Sequence, residues 1–323
     1  MTVRWGVLGA GAIARTLVHA FGQAGGANVE AVASRDPARA AALGAGRVHA
    51  SYDALLADPD VDAVYVALHN DAHAPWTIAA LEAGKHVLCE KPLALSVAEV
   101  DAMTAAAESA GRLLVEASWY RWHPRVRMAE RLLRELDVLG AVEYVTAGFT
   151  FAGVADGNYR LDPAHGGGAL YDVGCYAVSA AVWAFGTPPR EVVAKAGIGP
   201  TGVDLTATLT VTFDRGTADL RCGIAEDPRQ WLVVAGERGE LDLRDAAFTA
   251  WEGQETELWF TTPAGSEPET VPAANAYALM VENVSAVVEG REGWVVPLAE
   301  SRTTAAILDA AFESAASGTA VAL

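Results

Sequence analysis

The chain opens on an apolar run, 3–8, that breaks into Gly9-Ala10-Gly11-Ala12-Ile13-Ala14 and then into a helical pattern over 12–23. This loop fits G-x-G-x-x-G/A with alanine in the third position, and no other segment constrains the fold as tightly. Gly9 permits a tight turn between strand and helix. Gly11 lets the backbone approach a pyrophosphate, and Ala14 lets the helix lie close to the sheet. The unpaired N–H groups at the helix N-terminus attract the anion. A glycine loop alone is weak evidence; its place between a strand and a helix gives it weight. The loop therefore predicts a domain that binds a dinucleotide through Gly9, Gly11, Ala12 and Ile13.

The first third continues to alternate apolar runs with helical spacing. Strands are predicted at 29–34, 63–68, 86–89 and 113–117, and the helices between them stop at Gly25-Gly26, Gly84 and Gly111. Asp36-Pro37 reads as an N-cap followed by proline at the first helical position. Ser96-x-x-Glu99 reads as a capping box. Such an order is that of a doubly wound Rossmann domain, assigned to residues 1–121.

The end of the second strand selects the dinucleotide. An acid there holds a ribose 2′-hydroxyl, whereas a 2′-phosphate calls for a cation and no nearby carboxylate. Ser34 and Arg35 occupy the slot, Arg39 lies one helical turn further on, and Asp36 is committed to the cap. The segment favours NADP over NAD.

From about residue 122 the pattern changes to period two. Strands are predicted at 142–151, 191–196, 204–213, 218–222 and 231–234, with Gly236-Glu237-Arg238-Gly239 as a turn. Helices are predicted at 124–136, 274–289 and 298–316, and 262–273 reads as a surface loop. The expected architecture is α/β overall: the Rossmann domain, then an α+β domain over 122–297 with an open, mainly antiparallel sheet, then a terminal segment 298–323. Within the second domain, Gly166-Gly167-Gly168 leads into a helix that is apolar nearly all round and should be buried. Asp172 and Tyr176 lie four apart and share a face of it. A buried carboxylate needs a partner. Lys91, in Glu90-Lys91-Pro92, is the candidate cation, and a structural ion pair or a capping role is the competing reading.

Composition narrows the function classes. Lys and Arg number 23 against 41 Asp and Glu, a formal charge of −18, which argues against a nucleic-acid partner. Cys89, Cys175 and Cys222 are scattered, so neither a disulfide scaffold nor a structural zinc site is expected, and a reducing cytoplasm fits. The opening MTVRWGVLGAGAIA does not read as a signal peptide, and no stretch is expected to supply the roughly 20 apolar residues of a bilayer span.

Taken together, the N-terminal GAGAIA, the Glu90-Lys91-Pro92 turn and the Asp172-x-x-x-Tyr176 helix after a glycine run resemble the Gfo/Idh/MocA family of NAD(P)-dependent oxidoreductases. Tyr120-Arg121-Trp122-His123-Pro124 and Asn158-Tyr159-Arg160-Leu161-Asp162-Pro163 are most similar to its dimeric dihydrodiol dehydrogenase and NADP-dependent D-xylose dehydrogenase branch. Tyr176 stands where inositol dehydrogenases carry histidine, which argues against an inositol-type pair. The resemblance implies hydride transfer between nicotinamide and a secondary alcohol or hemiacetal of a sugar or diol. It implies catalytic Lys91, Asp172 and Tyr176, with Lys91 and Tyr176 both open as the immediate acid/base. It further implies cofactor contacts at Leu68, Asn70, His73, Glu90 and Lys91, and substrate contacts at Arg121, Arg160 and His165. For Arg121 the competing reading is an interdomain salt bridge, for His165 a solvated loop, and for Asn70 a helix cap. No metal is implied. A homodimer or homotetramer through the C-terminal sheet is implied, with the last helix packed back on the Rossmann domain and a cis Lys91–Pro92 peptide. Two other functions compete: a ketoreductase acting on a keto-sugar or nucleotide-linked sugar, and a non-catalytic NADP-binding regulatory protein.

Overall fold

Central strands of a parallel sheet are covered on both faces and read as unbroken apolar runs. The computed structural model describes residues 2–44, 46–250 and 252–323, and in it the first such run is β1 (Val3–Leu8), followed by α1 (Ala12–Phe21). The alternation continues through β2 (Ala27–Ala33), α2 (Pro37–Ala41), β3 (Arg47–His49), α3 (Tyr52–Leu56), β4 (Ala63–Val66), α4 (His73–Glu82), β5 (His86–Cys89), α5 (Val97–Ala110) and β6 (Leu114–Glu116). The six strands are parallel in the order β3-β2-β1-β4-β5-β6. The order reverses beside β1, so a crevice opens at the carboxyl ends of β1 and its neighbours. The strand β3 and helix α3 were not anticipated; each is too short to show a periodicity.

The remaining elements are α6 (Pro124–Glu130), β7 (Val142–Thr150), α7 (Cys175–Phe185), β8 (Pro189–Ile198), β9 (Asp204–Phe213), β10 (Thr217–Gly223), β11 (Arg229–Gly236), β12 (Gly239–Asp242), β13 (Thr256–Thr262), β14 (Gly265–Val271), α8 (Ala276–Val288), α9 (Leu298–Ser317) and β15 (Val321–Ala322). Nine strands form a second sheet in the order β14-β13-β12-β11-β7-β10-β9-β8-β15. Its pairs are antiparallel except β7 with β10. Helix α7 is buried from end to end against this sheet, as an all-round apolar helix requires. Gly236 and Gly239 close the β11–β12 hairpin, as their composition predicts.

Four expectations are corrected. The segment 262–273 is not a loop. Strand β14 runs through it at the sheet edge, solvent-exposed except at Val271, so it shows no apolar alternation, and the edge tolerates Pro268. The helix predicted at 124–136 gives way to a π turn over Arg131–Glu135. The segment Pro163–Phe185, helical on both sides of the glycine turn at 166–168, does reach the length and apolarity of a bilayer span, with mean hydropathy 1.2, but 89% of that apolar stretch is buried inside the protein. Finally, residues divide differently between the two units. Asn275–Leu298, carrying α8, belongs to the first, where Trp5 Nε1 donates to Ser285 Oγ at 3.0 Å and Trp119 stacks on Tyr277 at 4.3 Å. Ala299–Leu323 belongs to the second, where Ser314 Oγ accepts from Ala194 N at 2.9 Å. The last helix is thus grouped with the second unit, and its Asp309 accepts from Val97 N at 3.0 Å.

Candidate active site

In the first unit the glycine loop has the geometry its sequence implies. Gly9 sits at φ +103°, and a Cβ there would lie 2.3 Å from the carbonyl oxygen of Ala67. Only glycine accepts both the conformation and the approach. Gly11 is the N-cap of α1 without a side-chain cap, and a Cβ there would meet nothing within 4 Å. The first-turn N–H groups at Ala12 and Ile13 have no intrahelical acceptor, and the open space at Gly11 suits the approach of a pyrophosphate. Ala14 is fully buried, so the helix lies close to the sheet. A dinucleotide therefore fits the loop.

At the end of β2, Ser34 is nearly buried and its Oγ accepts from Asp36 N at 3.2 Å. The Asp36 carboxylate accepts from Ala38 N and Arg39 N, at 3.0 and 3.3 Å. The acid is thus consumed as a cap, and Arg35 and Arg39 stand exposed beside it. Burial raises the Tyr52 phenol, and the charge of Arg35 reaches it and opposes that rise. Tyr52 meets Trp76 edge-on at 4.8 Å. Leu68 borders the glycine loop, 3.2 Å from the position of a Gly9 Cβ.

The loops after β4 and β5 are tied together. His73 is fully buried, with Nδ1 2.8 Å from Pro92 O and Nε2 3.3 Å from Leu68 O. Burial pushes it down to about 4, so the ring is neutral and has a single N–H, which the shorter contact to Pro92 takes. The expected cofactor contact at His73 is corrected: the ring is sealed in the core and staples two loops. Asn70 is also buried, in the one-turn helix that precedes α4.

Glu90, at the end of β5, is buried as well. Its Oε1 accepts from Tyr65 OH at 2.5 Å and its Oε2 from Lys91 N at 3.2 Å. Burial drives its carboxyl up, while the Lys91 charge and the Tyr65 hydroxyl oppose that. Glu116, at the end of β6, accepts from Leu93 N at 3.0 Å. Two buried carboxylates therefore hold the turn on which Lys91 stands half-exposed, and the Lys91–Pro92 peptide is cis. Tyr65 and Glu116 were not anticipated; in sequence they are one tyrosine and one acid inside apolar strands.

In the second unit Asp172 lies in a π turn, Leu170–Gly174, that leads into α7. Such turns inside helices recur at functional sites. Its Oδ2 accepts from Arg160 Nε at 2.6 Å, and Asp172 is 4% exposed. The cation this unit supplies is thus Arg160, where Lys91 was the expected one. Burial works against the Arg160 charge, but Asp172, Tyr159 and Tyr176 outweigh it and raise the guanidinium. Arg160, Asp172 and Tyr176 are therefore neighbours electrostatically. Tyr176 is buried among Tyr120, Phe149 and Phe248, with ring centroids 5.8, 5.4 and 5.6 Å away. His165 is half-exposed and ends a short turn before Gly166. Arg121 is different. It is 1% exposed, donates to Glu300 Oε2 at 2.5 Å and lies over Trp183 at 5.5 Å. The expected substrate contact at Arg121 is corrected to a structural ion pair within the second unit.

The chain's relatives carry the same two-unit plan. Residues 3–118 match the oxidoreductase family with an NAD-binding Rossmann fold, and residues 126–242 match the GFO/IDH/MocA C-terminal domain. D-xylose 1-dehydrogenase (NADP(+)) 2 of Haloferax volcanii is 38% identical over 326 residues, covering 99% of each chain. Trans-1,2-dihydrobenzene-1,2-diol dehydrogenase of Xenopus laevis is 29% identical over 327 residues, covering 97% of this chain and 98% of its own. A solved 3-ketoreductase of Actinomadura kijaniata, in complex with NADP and TDP-benzene, aligns with a TM-score of 0.90 at 29% identity, covering 97% of this chain and 98% of its own. With the glycine loop, the Lys91 turn and the Asp172 helix all inside these matches, the chain belongs to the Gfo/Idh/MocA family of oxidoreductases.

Proposed function

We propose that the protein is an NADP-dependent dehydrogenase acting on a secondary alcohol or hemiacetal carbon of a sugar or diol. The observation that carries this reading is the 38% identity along 99% of both chains with an enzyme named D-xylose 1-dehydrogenase (NADP(+)) 2. The end of β2 supports the cofactor: Asp36 is spent on its helix, leaving Ser34, Arg35 and Arg39 for a 2′-phosphate. Gly9, Gly11, Ala12 and Ile13 would hold the pyrophosphate, and Leu68, Asn70, Glu90 and Lys91 would line the remainder of the cofactor's path. When bound, the nicotinamide supplies or accepts the hydride.

The protein's own residues then have one proton to move and one carbon to position. Lys91 stands at the carboxyl end of a parallel strand on a turn that two buried carboxylates fix. Its ammonium is suited to hold the proton and to stabilise a developing alkoxide. Tyr176 is the second candidate, a buried phenol within electrostatic reach of Arg160. Asp172 fixes Arg160, which with His165 would contact substrate hydroxyls. A homodimer or homotetramer through the open face of the second sheet belongs to the same reading. Tyr144 and Val193 support it, standing exposed on strands whose next residues, Val145 and Val192, are buried. A cytoplasmic location is supported by the three cysteines, all of them buried thiols.

A second reading is favoured by the 3-ketoreductase likeness: the same residues acting in the reducing direction on a keto-sugar. Initial rates at 340 nm separate the two. NADP⁺ with D-xylose, other aldoses and trans-dihydrodiols should give turnover. Turnover confined to NADPH with keto-sugars would favour the second reading, and silence in both directions would contradict both.

A further inference from the structure

Asp204 is a buried acid that the chemistry above does not use. It is the first residue of β9 and 3% exposed. Its Oδ2 accepts from Leu170 N at 2.7 Å, and Ala169 N also donates to the carboxylate. These are N–H groups at the start of the helical run that carries Asp172 and Tyr176, which have no acceptor within the helix. The other oxygen, Oδ1, lies where Gly168 meets the strand. A Cβ on Gly168, whose φ is +112°, would stand 2.0 Å from it.

Gly168 is in turn bonded on both sides to the candidate site. Its N–H donates to Arg160 O at 2.9 Å, and its carbonyl accepts from Asp172 N at 3.1 Å. The Arg160–Asp172 ion pair at 2.6 Å closes this loop of contacts. Moving Gly168–Leu170 would therefore move both partners of the ion pair.

We propose that Asp204 is a positioning residue for the reaction: its carboxylate clamps the turn Gly168–Leu170 and thereby fixes Arg160 and Asp172. The inference rests on the functional reading above, in which Arg160 and Asp172 serve the substrate. Backbone N–H groups of Leu170, of Asp204 itself and of Ala169 all favour the charged carboxylate, so its surroundings are donors. An asparagine keeps one acceptor oxygen and puts an N–H₂ donor in place of the other, among backbone donors. Protonation of the aspartate has the same consequence. Burial pushes Asp204 up to about 6 against the backbone N–H groups that favour its charged form. The titratable groups around it are Cys222 on β10, whose thiol is raised by burial first and by the Asp204 charge second, with Cys175 on α7 and Glu226 acting on Cys222. Beyond the turn lie Arg160 and Asp172.

The test is Asp204→Asn in the full-length protein, assayed on a substrate that the unaltered protein turns over. The clamp predicts a fall in kcat of about tenfold or more, since sub-ångström misplacement costs this much, with the KM for NADP unchanged. It also predicts that the unaltered protein loses kcat on the acid side with an apparent pKa near 6, and that Asp204→Asn lacks this limb. A variant with unchanged kcat, or one that keeps the limb, would overturn the clamp. If the variant does not fold, hydrogen exchange of the unaltered protein decides. Protection of the Ala169 and Leu170 amides, corrected for intrinsic rate, should fall as pH drops through about 6, whereas constant protection would overturn the proposal. Absence of turnover by the unaltered protein on every substrate would refute the functional reading instead, with amide protection still judging the clamp.

Discussion

Replacing Tyr65 by phenylalanine removes one hydroxyl from beneath the Lys91 turn and leaves the ring's packing intact. That hydroxyl is fully buried and donates to Glu90 Oε1 at 2.5 Å. A hydrogen bond to a charged acceptor contributes about 1.5–3 kcal/mol, and one between neutral groups about 0.5–1.5. The loss should therefore depend on the charge of Glu90. Its folded carboxyl is raised above the ordinary 4.5, chiefly by burial, and the Tyr65 bond holds it lower than burial alone would. Because the folded state keeps its proton where the unfolded chain has lost it, the contribution of Glu90 to stability falls as pH rises through that window. Removing Tyr65 OH raises the carboxyl further and widens the window. The substitution should thus cost more at pH 8.5, where a bond to a carboxylate contributes about 1.5–3 kcal/mol, than at pH 5, closer to the raised carboxyl. Urea unfolding of both proteins at the two pH values, followed by circular dichroism, measures the difference. An equal loss at both pH values, or a larger loss at pH 5, would refute the argument that Tyr65 supports a buried charge.

Two other substitutions separate roles that the geometry distinguishes. Ser34→Asp places a carboxylate where the 2′-phosphate is expected, and repulsion at close range should raise the KM for NADP about tenfold to a hundredfold while sparing NAD; an unchanged cofactor ratio in initial rates would remove Ser34 from the site. Arg121→Met should lower stability by about 1–3 kcal/mol, less than for a fully buried pair because Glu300 is 28% exposed, and leave the substrate KM unaltered. A raised KM with unchanged urea stability would return Arg121 to the substrate.

Much of this architecture is legible wherever a segment's own chemistry decides its fate. Strands β1, β5 and β9 begin and end where their apolar patterns do. The glycine loop needs only its neighbours to be recognised, and Asp36 caps the helix whose proline follows it. What local pattern cannot carry is the identity of distant partners. Asp172 advertises a buried carboxylate, but not that Arg160, twelve residues earlier, returns to meet it. Ser285 reads as one polar residue in an apolar helix until Trp5, on a strand 280 residues away, donates to it. That contact places α8 in the first unit. His73 shows the same limit in reverse: its position after a strand suggested a ligand, and only the packing reveals two carbonyls around the ring. Edge strand β14 was missed for a different reason, since a strand exposed on both faces has no periodicity to read.

The most direct test of the account is Lys91→Met, measured with two readouts on one preparation. NADPH binding, followed by fluorescence titration, should match that of the unaltered protein within about twofold, because the residues proposed for the pyrophosphate and 2′-phosphate, at Gly9–Ile13 and Ser34–Arg39, are not altered. Turnover of the sugar or diol should fall by a factor of about 10² to 10⁴, the usual contribution of a positioned acid or base. Loss of NADPH binding in parallel with turnover, or retained turnover, would contradict the assignment of Lys91 as the residue that handles the proton.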